Sequence, residues 1–551
     1  MDIPNSAKGD SNVPRIRNLH PSQLSPQNTH SYGATFQDEL PSSEHGGSFT
    51  ERLGSFVGSY SRTSLMFMAE NLAVPNGPMD DEDIDKYSAI SSGFVSRIPS
   101  KTSVSRLSRI ESGPSTSANN EHASLLFSHL DKVLSTRSIG TLADEARYEP
   151  HPPAAKRSSF TQSIFNSINI LIGIGILALP LGFKCAGWAI GISVFVFCCG
   201  LTNYTAKLLQ KCLDIDPDSR TYGDLGALTF GARGRIWVTL LFITELITSS
   251  VALVVLLGDG IDSLFPGFDL KTTRAISFLI LTPMLFLPVR HLSYTSLLGI
   301  ISAFSIIVVM VVDGFGKKEA PGSLIQPADT EILPSNWMTV PLSFGLIMAG
   351  FAGHAVFPTV YRDMENPKDY RRMVNWTYVA TTIVYFLVAY CGYFMFGSTT
   401  MHEITQNIVA IPEYNQALNR LAVWLIAMNP IAKYGLTVNP VNLSWQIWLF
   451  RGTDLETWCE KSSWREPLLT GIGKVLVSAF IVVLAYVLPG FDKVMSLLGA
   501  FFSFMISGIF PLVCHVVLFH HVLSPKRKLL DYTLIAIASS MAISGTLWSF
   551  L

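Results

Sequence analysis

"NILIGIGILALPLG", residues 169–182, is apolar enough to lie in a membrane, yet Gly173, Gly175 and Pro180 stand where an unbroken helix would have none. In a helix interior glycine costs about 1 kcal/mol and proline about 3 kcal/mol relative to alanine. A second stretch, "LIMAGFAGHAVFPTVY" at 346–361, is weakened in the same way by Gly350 and Gly353, with His354 beside them in its middle and Pro358 just beyond. Two interrupted hydrophobic segments in corresponding positions of two halves point to an inverted-repeat transporter that binds its substrate near the middle of the bilayer.

Working outward, the chain from residue 160 onward alternates apolar runs with short polar loops. Runs of about 20 residues suit a helix crossing roughly 30 Å of hydrocarbon. The pattern predicts eleven such spans, at 160–182, 187–209, 236–258, 273–290, 292–312, 338–360, 374–396, 420–440, 470–488, 493–519 and 530–550. The expected fold class is an all-α polytopic membrane protein with a transmembrane domain over 156–551. One repeat would cover about 160–312 and the other about 338–519, with 530–550 as an added helix.

Composition agrees with this class. Hydrophobic residues make up 48% of the chain and charged residues 15%, against about 25% charged in a soluble domain. The net charge of -1 argues against nucleic acid, which asks for a clustered basic surface. Most of the seven cysteines lie inside apolar runs at no metal-like spacing, as small polarisable packing residues do. No H-E-x-x-H, P-loop or nucleophile-elbow motif occurs in context, so an enzyme is not expected, and no cofactor or metal is called for.

Residues 1–155 are of another kind, rich in Ser, Pro, Gly and Asn. Such a segment buries too little surface to offset its ordering entropy and is expected to be a disordered tail. Within it, "EHASLLFSHLDKVL" has two readings. Its apolar spacing fits a short amphipathic helix, and Glu121, Leu125 and Leu126 also match E-x-x-x-L-L, an acidic dileucine signal read by adaptors that sort proteins to vacuoles and lysosomes. Lys and Arg concentrate in the loops on the tail's side, among them Lys207, Lys211, Arg233, Arg235, Arg362, Arg371, Arg372 and Lys526 to Lys528. The positive-inside rule therefore puts the tail in the cytosol, and an odd span count puts Leu551 on the lumenal side.

A break in a membrane helix suits a zwitterion. Freed N–H groups at the positive end of a half-helix attract a carboxylate, and freed carbonyls at the negative end attract an ammonium. The α-amino and α-carboxyl groups common to all amino acids are a natural ligand for Gly173, Gly175, Gly350 and Gly353.

Three motifs carry a family resemblance: "SFTQSIFNSINILIGIGILALPLGFKCAGW" at 159–188, "FAGHAVFPTVYRDMENP" at 351–367 and "NPIAKYGLTVNP" at 429–440. Together they resemble the amino acid/auxin permease family, and within it the fungal-type proton-coupled vacuolar importers, over essentially all of 158–551. The resemblance implies a fold of the leucine-transporter group, a vacuolar membrane location and exchange of cytosolic neutral amino acids, such as glutamine, tyrosine and isoleucine, for lumenal protons. It also matches Asn169 to a family asparagine beside the substrate. An amino-acid symporter or exporter, and a transceptor signalling through the tail, are the alternatives.

Charges within spans are costly and mark ion pathways. Glu245, in "FITELITSS", is a candidate proton carrier, or else a helix-to-helix hydrogen bonder. Lys433 lies one turn after Pro430, where related folds hold a sodium ion between spans one and eight; its ammonium could replace that ion, or could snorkel to the interface. His354 titrates naturally between cytosolic and vacuolar pH, and is a candidate for both proton coupling and substrate contact; a neutral orienting role is the alternative. Asp259 and Asp262 look solvated at the lumenal end of span three.

Overall fold

The structure, a computed structural model, describes residues 157–551 apart from 217, 218, 220, 288, 451–454, 456, 457, 460, 461, 463 and 489. The expected tail and the sorting signal at Glu121, Leu125 and Leu126 lie outside the described residues.

The first helix, α1 (Phe160–Leu171), opens on a reciprocal cap: Ser159 Oγ accepts from Gln162 N–H while the Gln162 side chain accepts from Ser159 N–H. Such a cap satisfies two donors that would otherwise lack intrahelical partners. The chain leaves helical geometry at Ile172 and Gly173, makes a 3₁₀ turn at Ile174–Ala178 and resumes as α2 (Leu179–Leu213), which bends sharply at Gly187. Pro180 sits in the first turn of α2, where a missing N–H is harmless. It starts a helix, and the break lies at the glycines.

A second cap, Thr221 with Asp224, begins α3 (Tyr222–Leu264), which bends at Gly231. Next come α4 (Leu270–Leu281), continued by a 3₁₀ turn to Phe286, and α5 (Val289–Gly316). The second half repeats the theme. Helix α6 (Val340–Gly350) breaks, a 3₁₀ turn covers His354–Val356, and α7 (Phe357–Asp363) follows with Pro358 in its first turn. The remaining helices are α8 (Tyr370–Phe396), the short α9 (Ile404–Ala410), α10 (Gln416–Phe450), α11 (Arg465–Val487), α12 (Phe491–Leu497), α13 (Phe510–Leu518) and α14 (Pro525–Ser549). A π-helical stretch, Leu498–Ile509, joins α12 to α13.

Each expected span meets a helix, and eight helices among the described residues are long and apolar enough to cross a membrane. The protein is an all-helical, multi-pass membrane protein. Packing between the halves is reciprocal. The first broken helix, α1, lies on α8, and its counterpart α6 lies on α2. Helix α3 packs on the π-helical span and on α11, while its counterpart α10 packs on α5 and on α4. Counterparts also meet each other, α3 with α10 and α4 with α11. This pattern is what an internal two-fold relation between two five-helix units produces.

The two broken helices run antiparallel along their whole length. Ser158 exchanges backbone hydrogen bonds with Asp363 and Glu365 (2.8 and 3.0 Å) at one end, and Thr339 Oγ1 donates to Cys185 O (2.9 Å) at the other. At the crossing there is no room for side chains. A Cβ on Gly175 would lie 2.9 Å from Ala349 O and 3.0 Å from Gly350 Cα, so only glycine lets the backbones touch. Gly353 has φ +123°, a conformation that side chains strongly disfavour.

Candidate functional site

Between the breaks lies a cavity of about 280 Å³. The first broken helix contributes Ile170, Leu171, Gly173, Ile174 and Gly175, and the second Ala349, Ala352, Gly353, Ala355 and Val356. Phe242, Glu245, Leu246, Ser249 and Leu253 project from one face of α3, at the three- and four-residue spacing that stacks side chains along a helix. Lys433 and Thr437, one turn apart, project from α10, and Met495 and Leu498 close the wall.

The structure thus gathers Gly173, Gly175, Gly353, Glu245 and Lys433 around one space, although they come from four spans far apart in sequence. No ion pair joins Glu245 to Lys433 among the described residues. The stem of Lys433 runs past Gly299 of α5, where a Cβ would stand 3.0 Å from its Cε. Thr437 Oγ1 donates to the Lys433 carbonyl (3.0 Å).

Asn169, Gly350 and His354 do not line this cavity. Asn169 is buried within α1. His354 is fully buried and turned toward α2, with Nε2 2.9 Å from Thr202 O and 3.1 Å from Thr205 Oγ1. A carbonyl only accepts, so Nε2 carries the hydrogen. Thr205 Oγ1 lies 2.6 Å from Ser507 O, to which it donates, so the histidine knits the second break to α2 and the π-helical span.

Gly350 serves through its carbonyl. Tyr385 of α8, fully buried, bonds through its hydroxyl both to Gly350 O (2.6 Å) and to Leu171 O, one carbonyl from each break. Sequence inspection missed this residue because a tyrosine in an apolar span carries no spacing signal. Inspection also missed Glu403, which is buried, and took Asp259 as solvated; Asp259 instead lies 3.6 Å from the fully buried Arg274.

A cavity framed by two unwound helices in a membrane-embedded bundle, with ionisable groups facing it, defines a transporter. Its family is given by the sequence: residues 156–551 match the model of the transmembrane amino acid transporter proteins, and the chain belongs to that family, the amino acid/auxin permeases. Two relatives from Arabidopsis thaliana, amino acid transporters AVT1B and AVT1C, are each 32% identical to it, over 71% and 72% of this chain and 70% of either relative. Amino acid transporter ANT1 of the same plant is 26% identical over 71% of this chain and 92% of its own. The protein is an amino acid transporter of AVT1 type, not an enzyme.

Proposed function

We propose that the chain carries neutral amino acids such as glutamine, tyrosine and isoleucine across the vacuolar membrane, from cytosol to lumen, in exchange for protons. It would do so as eleven spans, in repeats of about 160–312 and 338–519 plus the helix at 530–550, with the tail of residues 1–155 in the cytosol. A sorting adaptor would read Glu121, Leu125 and Leu126. The observation that carries the reading is the convergence of both helix breaks with Glu245 and Lys433 on one cavity.

The substrate's carboxylate meets N–H groups at the start of the helical runs that resume at Ile174 and His354, where the first donors lack intrahelical partners. Its ammonium meets carbonyls at the ends of α1 and α6. Its side chain lies among Phe242, Leu253, Val356, Met495 and Leu498. The cavity's about 280 Å³ falls just below the roughly 300–1,000 Å³ of drug-sized ligand sites, which suits one small molecule. Glu245 and Lys433 exchange protons with the cavity, while Asn169, Gly350 and His354 act from behind it, holding the breaks in shape. A difference of about two pH units supplies roughly 2.7 kcal/mol per proton, sufficient for about hundredfold accumulation of a neutral solute.

The test is uptake of labelled glutamine, tyrosine and isoleucine into vesicles acidified by a proton-pumping ATPase. Uptake should collapse with a protonophore, ignore sodium, and be lost in Lys433→Ala and Glu245→Gln while both variants remain in the membrane. Uptake that survives the protonophore or requires sodium removes the exchange mechanism; normal coupling in both variants removes these two residues from it.

A further inference from the structure

The loop between α8 and α10 lies at the end of the molecule away from Ser158, and its helix α9 is seated on the first break. It packs on Ile174–Ala178 with Ile404, Thr405, Asn407 and Ile408 buried. Four polar contacts fasten this lid. Lys184 Nζ donates to Thr400 O (2.8 Å), Asn407 ties the loop to itself through Met401 N–H (2.8 Å) and Thr399 O (2.9 Å), and His402 Nδ1 lies 3.0 Å from Asp492 Oδ1 of α12. A fifth is different in kind.

Glu403, at the root of α9, is buried, its Oε1 has no hydrogen-bond partner among the described residues, and its carboxyl faces that of Asp259 on α3. Two carboxyl groups facing each other away from water stay charged together only at high cost, and a proton on one of them relieves it. The only further partner of Glu403 among the described residues is Thr405 Oγ1, 3.1 Å from Oε2. Arg274 of α4 is the cation paired with Asp259, at 3.6 Å, with Nη1 already bonded to Val255 O (3.0 Å). Its guanidinium neutralises one of the two carboxylates, and a proton on Glu403 neutralises the other.

We propose that Glu403 and Asp259 form a one-proton site at the face opposite Ser158, and that this proton locks the lid over the first helix break. Burial first, and the negative charge of Asp259 second, hold the Glu403 carboxyl well above the usual carboxylate range. The sign follows. A group that binds its proton more tightly when the lid is shut stabilises the shut form fully below the ordinary carboxylate range, and that contribution is lost as pH rises through its raised value. Acid shuts the lid and alkali loosens it. Resting on the exchange reading only for the source of the proton, the site would take it from the acidic lumen as the emptied carrier closes on that side.

The other charged or titratable groups facing the pair are Asp262 of α3 and His402 of the loop itself, while Tyr486 of α11 faces Arg274, and Asp492 of α12 and Lys184 of α2 face His402. Histidine titrates in the same range, so the test is made in the His402→Gln background. Hydrogen-exchange protection of the α9 amides, corrected for intrinsic rates, is followed from pH 5 to pH 8 in the full chain in lipid nanodiscs. Protection should fall by about tenfold per pH unit over the titrating window, and adding Glu403→Gln should flatten that slope with the lid still protected. If that double variant does not fold, adding Asp259→Asn instead should draw the window down toward the ordinary carboxylate range. Protection indifferent to pH, a slope that persists after Glu403→Gln, or a window unmoved by Asp259→Asn overturns the proposal. No transport is needed for the measurement, so a pH-dependent lid in a carrier found not to exchange protons would keep the site and retire only the exchange mechanism.

Discussion

Tyr385→Phe is the most direct probe of how the two breaks are held together. The substitution removes one oxygen and keeps the ring, which packs edge-on against Phe351 with centroids 5.4 Å apart. It leaves Leu171 O and Gly350 O, both buried at the crossing, without the hydroxyl they share. A hydroxyl has one proton to give, so a single donor is lost, and a buried acceptor left without its donor costs about 1–3 kcal/mol. If substrate binds only when both breaks are assembled, about 2 kcal/mol of loosening lowers apparent affinity by roughly thirtyfold. Initial rates of labelled amino-acid uptake into proteoliposomes, over a substrate series, should show KM raised by that order with the maximal rate little changed. Tyr385→Leu, which also loses the ring, should lower the amount of folded protein as well. A KM for Tyr385→Phe within twofold of the parent would refute the idea that this hydroxyl couples the two halves.

Three further outcomes follow from particular contacts. Gly353→Ala forces a side chain to φ +123° with its Cβ 2.9 Å from Ile170 Cγ2, costing at least about 1–2 kcal/mol, which a lowered melting temperature in detergent would register. Gly173→Ala and Gly175→Ala should differ: a Cβ on Gly173 meets nothing nearer than 3.8 Å and intrudes only on the cavity, whereas one on Gly175 meets Ala349 O at 2.9 Å. The first should weaken substrate binding in a stable protein and the second should lower the melting temperature; equal melting temperatures would contradict the crossing geometry. Finally, the hydrogen bond that His402 donates to Asp492 raises the His402 pKa above its ordinary 6.5. The pair therefore adds stability below about pH 6.5, lost as pH rises through the raised value, so Asp492→Asn should melt lower than the parent at pH 5.5 and alike at pH 9. With His402 largely exposed, the difference should be at most about 1 kcal/mol.

The helices themselves were legible because hydrophobic length is a local property. Every apolar run from "NILIGIGILALPLG" onward falls on a helix, and both glycine breaks fall where the two halves cross. Pro180 counted among the interruptions of the first span and Pro358 stood just beyond the second break, and each lies in the first turn of the helix that follows. Proline lacks a donor wherever it stands, and only the backbone path shows that none is needed there.

Sequence by itself determined the membrane class, the paired interruptions and the suspicion attached to Glu245, Lys433 and His354, since the cost of a charge or a glycine in an apolar span is fixed by its neighbours in the chain. Which of these face a common cavity was decided by the tertiary structure alone. Glu245 and Lys433 meet the breaks because α3 packs on α10, whereas the direction of one ring takes His354 to Thr202 and Thr205 instead. Tyr385, Glu403 and Arg274 gain their roles from partners between 15 and 214 positions away. A hydrogen bond between distant segments leaves no period in the sequence, and two carboxyl groups can share a proton only once the fold has brought them together.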